Sequence, residues 1–456
     1  MTEIAPQSLY AAQTKIYPRE IDGVFARLRI AAMVVLLGGY YLTAWLTWDG
    51  RQALLFDLPA RKFYVLGLVL WPQDFFFLSW LLIIAALSLF FFTALAGRVW
   101  CGYACPQTVW TEAFLWMDWL VEGRGPARRK LDAGPWTANK LWRKSAKQAL
   151  WIVFALWTGF TFVGYFTPIR ELGREVAQLS LGGWETFWIL FYGFATYGNA
   201  GFLREQVCKY LCPYARFQSA MFDRDTLVVS YDEVRGEPRG SRPRGTDPRT
   251  LQLGSCIDCR MCVQVCPTGI DIRKGLQYEC IACAACIDAC DGVMDKMQYA
   301  RGLIRYSTQH GIEGRATRVL RPRVIVYATL LTLLCGGFVT ALLLRTPLDL
   351  DVIRDRNALY RESRPGYIEN VYTLRIINKD SARHTYSLHA EGLPTLVVET
   401  DPPVLEVGAG QVRTIAARAL VEDGAVSGGG HTITFRLAAN DAPALTTTEK
   451  ARLFTP

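Results

Sequence analysis

Thirteen cysteines against four histidines set the chemistry of this chain. Eight of the thiols fall in two runs of one spacing. Cys256, Cys259, Cys262 and Cys266 read C-x2-C-x2-C-x3-C-P in "CIDCRMCVQVCP". Cys280, Cys283, Cys286 and Cys290 repeat the spacing in "CIACAACIDAC", with Asp291 where the proline would stand. Three thiolates in a tight loop wrap one iron–sulfur cube, and a fourth beyond a turn reaches the next cube. The spacing predicts two 4Fe-4S clusters, one on Cys256, Cys259, Cys262 and Cys290, the other on Cys280, Cys283, Cys286 and Cys266. Zinc also takes thiolates, but its sites rarely use this spacing, let alone twice. The missing proline alters a turn and leaves the ligands intact. Two adjoining clusters form a relay for single electrons. No Gly-x-Gly-x-x-Gly follows a strand, so the donor must come from elsewhere. His310, His384, His389 and His431 lie outside every long apolar run, which excludes a bis-histidine haem there.

Four further thiols stand in a repeated phrase: Cys101 and Cys105 in "WCGYACPQ", Cys208 and Cys212 in "VCKYLCPY". Residues i and i+4 share a helix face, so each pair can converge on one ligand. Pro106 and Pro213 suit the first turn of a helix and disfavour helical geometry just before it, which predicts a helix break at each pair. The positive end of the new helix should favour thiolate. Breaks at membrane depth need cover from protein, which argues that the two pairs face each other, with Tyr103 and Tyr210 as phenol donors between the sulfurs. Soft sulfur ligands select Cu(I) or zinc over hard cations. A third cluster, a dithiol–disulfide couple and plain packing at a helix end are the alternatives. Cys335, Met117 and Met221 read as packing residues.

The elements that must position these thiols are long and apolar. Apolar residues make up 51% of the 456 and aromatic residues 12%, beside 50 basic and 41 acidic side chains. Ile30–Trp48, Phe75–Ala96, Ala149–Phe166, Trp184–Leu203 and Val324–Leu344 each approach the ~20 residues a membrane span needs. The first run lacks a small-residue cleavage site and is not read as a signal peptide. Phe63–Trp71 is too short to span and reads as interfacial or re-entrant. Arg and Lys crowd the connection after the second run, from Arg98 to Lys147, and the long one from Arg204 to Arg323, which puts both on the cytosolic side. Both cysteine phrases then lie at cytosolic ends, where thiols stay reduced. The net charge of +9 resides in these loops, so nucleic acid is not an expected partner. Gly236–Thr250, rich in Pro, Gly and Arg, reads as a mobile linker. Beyond Thr346 the pattern turns to alternating β-runs such as "YIENVYTLRIINKD" and "HTITFRLAAN", which predict a cysteine-free antiparallel sandwich.

With "KIYPREIDGVFARLR", "WPQDFFF", "WCGYACPQTVWTE", "CKYLCPYARFQSAMFD", "YDEVRGEPRG" and the paired cluster motifs, the chain resembles the bacterial cytochrome c oxidase accessory proteins (CcoG, also called FixG or RdxA) along nearly its whole length. The resemblance implies an α-helical membrane protein of about five transmembrane helices, with a cytosolic bacterial-type ferredoxin domain holding two 4Fe-4S clusters and a periplasmic all-β immunoglobulin-like domain. The corresponding boundaries are 1–27 (cytosolic), 28–216 (four-helix membrane domain), 217–250 (linker), 251–312 (ferredoxin), 321–345 (fifth helix) and 346–456 (sandwich). The implied activity is reduction of Cu(II) to Cu(I) for a cbb-type oxidase in the inner membrane. Cys101, Cys105, Cys208 and Cys212 would then handle the copper. Expected partners are the bilayer, an unidentified electron donor, a copper transporter or chaperone, oxidase subunits and a second copy in a homodimer. Two other readings stand beside this one. One is a quinol-oxidising conduit drawing on Asn199, Tyr197 and Glu112; the other is a non-catalytic scaffold whose external sandwich docks oxidase subunits.

Overall fold

The computed structural model describes residues 15–380 and 382–456. The chain divides into two units between Cys335 and Gly336. Among the described residues four helices are long and apolar enough to cross a membrane: Val24–Thr43, Pro72–Ala96, Ala138–Val163 and Pro322–Leu343. Their outward side chains, such as Val34, Val35, Leu82, Ile83, Val153 and Leu333, are exposed. A helix apolar all round is at home in lipid or a core, not in water.

Helix α1 (Val24–Thr43) receives no cap from its own flank. The free amides of Phe25 and Ala26 donate instead to Asp288 Oδ1 and Oδ2, at 3.2 and 2.7 Å. A Cβ on Gly23 would sit 2.2 Å from that carboxyl carbon, so glycine is what admits it. Helix α2 (Phe75–Ala96) leads into the short α3 (Val99–Tyr103), which ends at the first cysteine phrase. Helix α4 (Pro106–Glu122) starts on Pro106 with Cys105 extended at its N-cap, φ −62° and ψ 128°. The helix break expected there is present. Helix α5 (Ala138–Val163) begins with basic residues and ends apolar, capped by Thr137 Oγ1 accepting from Lys140 N at 3.2 Å. It meets α6 (Gly183–Thr196) at backbone contact: a Cβ on Gly159 would lie 2.3 Å from Ile189 O. Small residues permit such an approach.

Three sequence expectations change or sharpen. The stretch Trp184–Leu203 is not one α-helix: α6 has 14 residues and continues as π-turns over Tyr197–Leu203, followed by more over Val207–Leu211. There the ladder widens to i→i+5, Arg204 N donating to Asn199 O at 2.7 Å. A side chain braces the widened turn, for Gln107 Nε2 donates to Asn199 O at 2.9 Å and to Arg204 O at 3.1 Å. Phe63–Trp71, read as interfacial or re-entrant, takes the form of two strands, Lys62–Val65 and Leu68–Leu70, of a small antiparallel sheet with Leu54–Asp57. The segment 217–250 is not a free linker either. Helix α7 (Pro213–Met221) opens it, and strand Val228–Tyr231 pairs with Ile304–Ser307. Arg242 is buried, donating to Gly254 O at 2.7 Å and Tyr299 Oη at 2.9 Å. Pro, Gly and Arg there serve a docked loop, because these donors find fixed acceptors in the cysteine-rich segment.

A buried charge network locks α4 to its neighbours. Asp118 accepts from Arg128 Nη2 at 2.6 Å and Arg204 Nη2 at 2.7 Å; Glu122 pairs with Lys144 at 2.8 Å and Lys147 at 3.1 Å. Both carboxylates are almost wholly buried. The cysteine-rich segment ends in α8 (Ala285–Met297), and α9 (Pro322–Leu343) follows.

The second unit is an all-β sandwich. One sheet orders Val397–Asp401, Val412–Glu422, Tyr367–Asn378 and Leu348–Arg354, with Arg361–Arg364 also on Tyr367–Asn378. The other orders Leu405–Val407, His384–Glu391, Gly429–Ala439 and Thr446–Thr455. Alternation does the sorting. Tyr372, Leu374 and Ile376 from one sheet and Ile433, Phe435 and Leu437 from the other fill one core.

Candidate functional site

The two cysteine runs fold into matching loops. Asp258 and Arg260 in the first, Ala282 and Ala284 in the second, all take φ between 53° and 59°. Each pair stands two and four residues past the leading cysteine. Left-handed residues alternating with ordinary ones curl a loop so that successive amides face its concave side, a form that favours anions. Each loop encloses one side of a cavity of about 350 Å³. Cys266, Cys280, Cys283 and Cys286 line the first cavity, with Cys262 also in its wall. Cys256, Cys259, Cys262 and Cys290 line the second. The fourth cysteine of each run thus lies with the other run's three, the crossed arrangement the spacing predicts. Among the described residues no three Cys, His, Asp or Glu side chains stand close enough to hold a single metal ion. The donor set, sulfur only around room for several atoms, fits iron–sulfur cubes better than lone zinc ions.

The four remaining thiols come together from two helix breaks. Cys101 lies in α3 and Cys105 caps α4; Cys208 lies in the second π-turn and Cys212, φ −79° and ψ 109°, caps α7. Each pair's charge is felt by the other: Cys208 acts on Cys101, Cys105 on Cys208, and Cys212 on Cys105. Cys101 Sγ donates to the buried Gln218 Oε1 at 3.4 Å, and Thr108 Oγ1 donates to Cys101 O at 2.5 Å. Met117 packs in a core with Phe114 and Trp151. Tyr210 is 65% exposed and does not lie between the sulfurs. Tyr103 turns the other way, its hydroxyl 3.4 Å from that of Tyr306.

Both phrases rest on the same cysteine cavity. A Cβ on Gly102 would meet Ile281 O at 2.8 Å, Cys283 Cα at 2.9 Å and Ala282 O at 3.0 Å. The backbone between Cys101 and Cys105 is therefore seated directly on the loop that carries Cys280 and Cys283. Tyr306 Oη donates to Ala282 O at 2.5 Å in the same place. From the second phrase, Lys209 Nζ donates to Thr268 O at 2.8 Å, two residues past Cys266. Buried Arg98 joins the parts, its guanidinium donating to Tyr278 O and to Ala215 O.

Burial decides the state of these thiols. It pushes Cys101 up to about 12 and Cys208 up to about 11, and it raises Cys105 as well. Neighbouring thiols add to the rise, while Arg98 opposes it at Cys101, Cys208 and Cys280. At Cys101, Cys105 and Cys208 the positive helix ends do not win against desolvation, so the thiolate expectation is corrected there: burial favours the neutral thiol. A soft cation entering the site must displace those protons. Sequence reasoning passed over Arg98 and Gln218. Arg98 looked like one more loop charge, and only the chain reversal brings Gln218 back to Cys101.

These features define a class: an iron–sulfur electron-transfer protein of ferredoxin type, joined to apolar helices and an all-β C-terminal unit. Comparison with known families agrees. The family described as "4Fe-4S dicluster domain" matches residues 203–309, and "4Fe-4S binding domain" matches 78–125, where Cys101 and Cys105 are the cysteines. The family described as "IG-like fold at C-terminal of FixG" matches 338–456. Nitrogen fixation protein FixG of Rhizobium meliloti is 40% identical over 425 residues, covering 85% of this chain and 81% of that protein. Protein RdxA of Cereibacter sphaeroides is 41% identical over 429 residues, covering 91% and 89%. The chain belongs to the FixG/RdxA family. The crystal structure of a FixG-related protein from Vibrio parahaemolyticus shares 28% identity over 24% of this chain and 98% of its own, with a TM-score of 0.22.

Proposed function

We propose that this chain is a membrane-bound electron carrier that reduces Cu(II) to Cu(I) for the copper centre of a cbb-type cytochrome c oxidase. In this reading Cys256, Cys259, Cys262 and Cys290 hold one 4Fe-4S cluster and Cys266, Cys280, Cys283 and Cys286 the other. The apolar helices span the inner membrane, with the cysteine-rich segment cytosolic and the sandwich periplasmic. A 4Fe-4S cluster supplies single electrons at a potential that nearby hydrogen bonds and burial tune. The seat of Gly102 on the Ile281–Cys283 backbone carries the reading, because it sets the backbone between Cys101 and Cys105 directly against the loop of the nearer cavity.

The rest follows from this chain's own side chains. Cys101, Cys105, Cys208 and Cys212 offer sulfur, which prefers Cu(I) over Cu(II), so copper taking one electron there gains in binding. Gln218 orients the Cys101 sulfur, and Arg98 eases loss of the thiol protons. The test uses purified full-length chain, chemically reduced, given Cu(II) and a Cu(I)-specific chelator. Cu(I) should form at the expense of stored electrons, and replacing the four thiols by serine should abolish it with iron content unchanged. Undiminished copper reduction in that variant would sink the proposal.

A further inference from the structure

A further cavity of the first unit has no part in that scheme. It measures about 1700 Å³, counting space open to solvent. One wall is a single face of α4, where Glu112, Trp116 and Trp119 recur at helical spacing; Ile30 and Met33 of α1 oppose it. Pro267, Thr268, Ile281 and Cys283 form part of its lining and line the first cysteine cavity too. A molecule in the large cavity would thus be parted from that cysteine cavity by four shared residues. Cys208 also lines it.

The polar groups choose the ligand. Its arginines are committed: Arg128 and Arg204 to Asp118, Arg124 to Glu20 at 3.2 Å, Arg29 to Cys283 O at 2.6 Å and Arg19 to Met261 Sδ at 3.4 Å. Three of these five, Arg124, Arg128 and Arg204, are neutralised by carboxylates. Glu112 makes no hydrogen bond or ion pair among the described residues. The indoles of Trp116 and Trp119 are 55% and 38% exposed, as at a mouth facing an apolar phase. An apolar and aromatic patch of Ile30, Met33, Leu115, Trp116 and Trp119 among charged lining residues, the carboxylate of Glu112 beside it and an adjacent cysteine cavity suit a lipid-soluble donor of electrons and protons.

We propose that this cavity binds a membrane quinol, a benzo- or naphthoquinol, as the electron donor of the chain. The inference rests on the reading that the cysteine cavities hold clusters. Oxidation breaks the two O–H bonds of the quinol and forms two carbonyls, releasing two electrons and two protons. The clusters that Cys266, Cys280, Cys283 and Cys286 and that Cys256, Cys259, Cys262 and Cys290 would hold would each take one of the electrons. The hydroxyl beside Glu112 gives its proton to that carboxylate, and the second proton leaves to water. Of the quinone site anticipated at Asn199, Tyr197 and Glu112, only Glu112 lines this cavity: Tyr197 Oη donates to Gln148 at 2.8 Å, and Asn199 O accepts from Gln107 at 2.9 Å.

Full-length chain in phospholipid discs is titrated with a decyl-substituted benzoquinone, read by tryptophan quenching, which needs no electron transfer. Saturable binding at one per chain is expected, and Met33→Trp, which crowds the apolar patch, should weaken it by about tenfold or more. Glu112→Gln should slow reduction of the chain by the corresponding quinol at unchanged iron content, and an unchanged rate overturns the role given to that carboxylate. Absence of saturable binding overturns the inference. So does binding indifferent to Met33→Trp in a variant of normal iron content. Binding seen in detergent but lost in the discs overturns it too, since phospholipid is then the occupant. Iron and acid-labile sulfide on the same samples judge the cluster reading separately, and their absence sinks that reading whatever the quinone does.

Discussion

Gly102→Ala puts the seat of the first cysteine phrase to a direct test. In a short helix the change alone would help by up to about 1 kcal/mol, because glycine costs backbone entropy. Here the added carbon falls 2.8, 2.9 and 3.0 Å from three backbone atoms of Ile281–Cys283. The nearest is about 0.6 Å short of ordinary contact. Backbone cannot rotate away as a side-chain tip can, so α3 and the cysteine loop must part. Overpacking of this kind costs about 1–3 kcal/mol, which exceeds the helical gain. The net expectation is a loss of about 1–2 kcal/mol together with slower electron delivery to the thiols. Gly39→Ala is the control, for its added carbon meets nothing within 4 Å. The assay follows the temperature at which the iron–sulfur absorbance is lost, then the rate of copper reduction at equal iron content. If Gly102→Ala matches both the parent and Gly39→Ala in melting and in rate, the two elements are not seated as described and the reasoning fails.

Three further outcomes are expected. Asp118→Asn leaves Arg128 and Arg204 buried without their carboxylate and should destabilise the first unit by about 3–5 kcal/mol in denaturant melts. Arg98→Met removes the cation that lowers Cys101 and Cys208, so alkylation of these thiols at fixed pH, mapped by mass spectrometry, should slow. Burial alone would lower His384, but the carboxylates of Asp380, at 2.9 Å, and Asp441, at 2.8 Å, outweigh it and the net direction is upward. A raised histidine stabilises most fully below its unfolded value of about 6.5, and the gain fades as pH rises through the folded value. Melting of the sandwich, whose core is its own, should therefore fall across that interval, and His384→Asn should flatten the profile.

The sequence made the local grammar plain. Cysteine spacing announced two loops, Cys-Pro announced two helix starts, and alternation announced a sandwich, because each depends on neighbours in the chain. What it hid depends on partners far along the chain. Gln107 bracing the Asn199 carbonyl, Gln218 under Cys101 and Arg242 docked beside Cys256 carry no local mark. The stretch after Thr196 shows an apolar pattern indistinguishable from a continuing span, yet there the helix widens. Helix polarity at Pro106 was legible, but the desolvation that overrides it was not, since burial of Cys101 and Cys105 comes from the cysteine-rich segment folding over them.

The carboxylate that caps the first helix bears on how the molecule is made. Asp288 lies 262 residues beyond the Ala26 amide it accepts from. At about 5–20 residues per second, roughly 10–50 s of synthesis separate the two. During that interval the leading helix waits with its opening amides answered by water. Asp288 stands between Cys286 and Cys290, so the loop that gathers those thiols and the turn that finishes the helix close as one event. A nascent chain arrested before Asp288 would expose a frayed leading end, a ready mark by which a protease could tell an unfinished copy from a completed one.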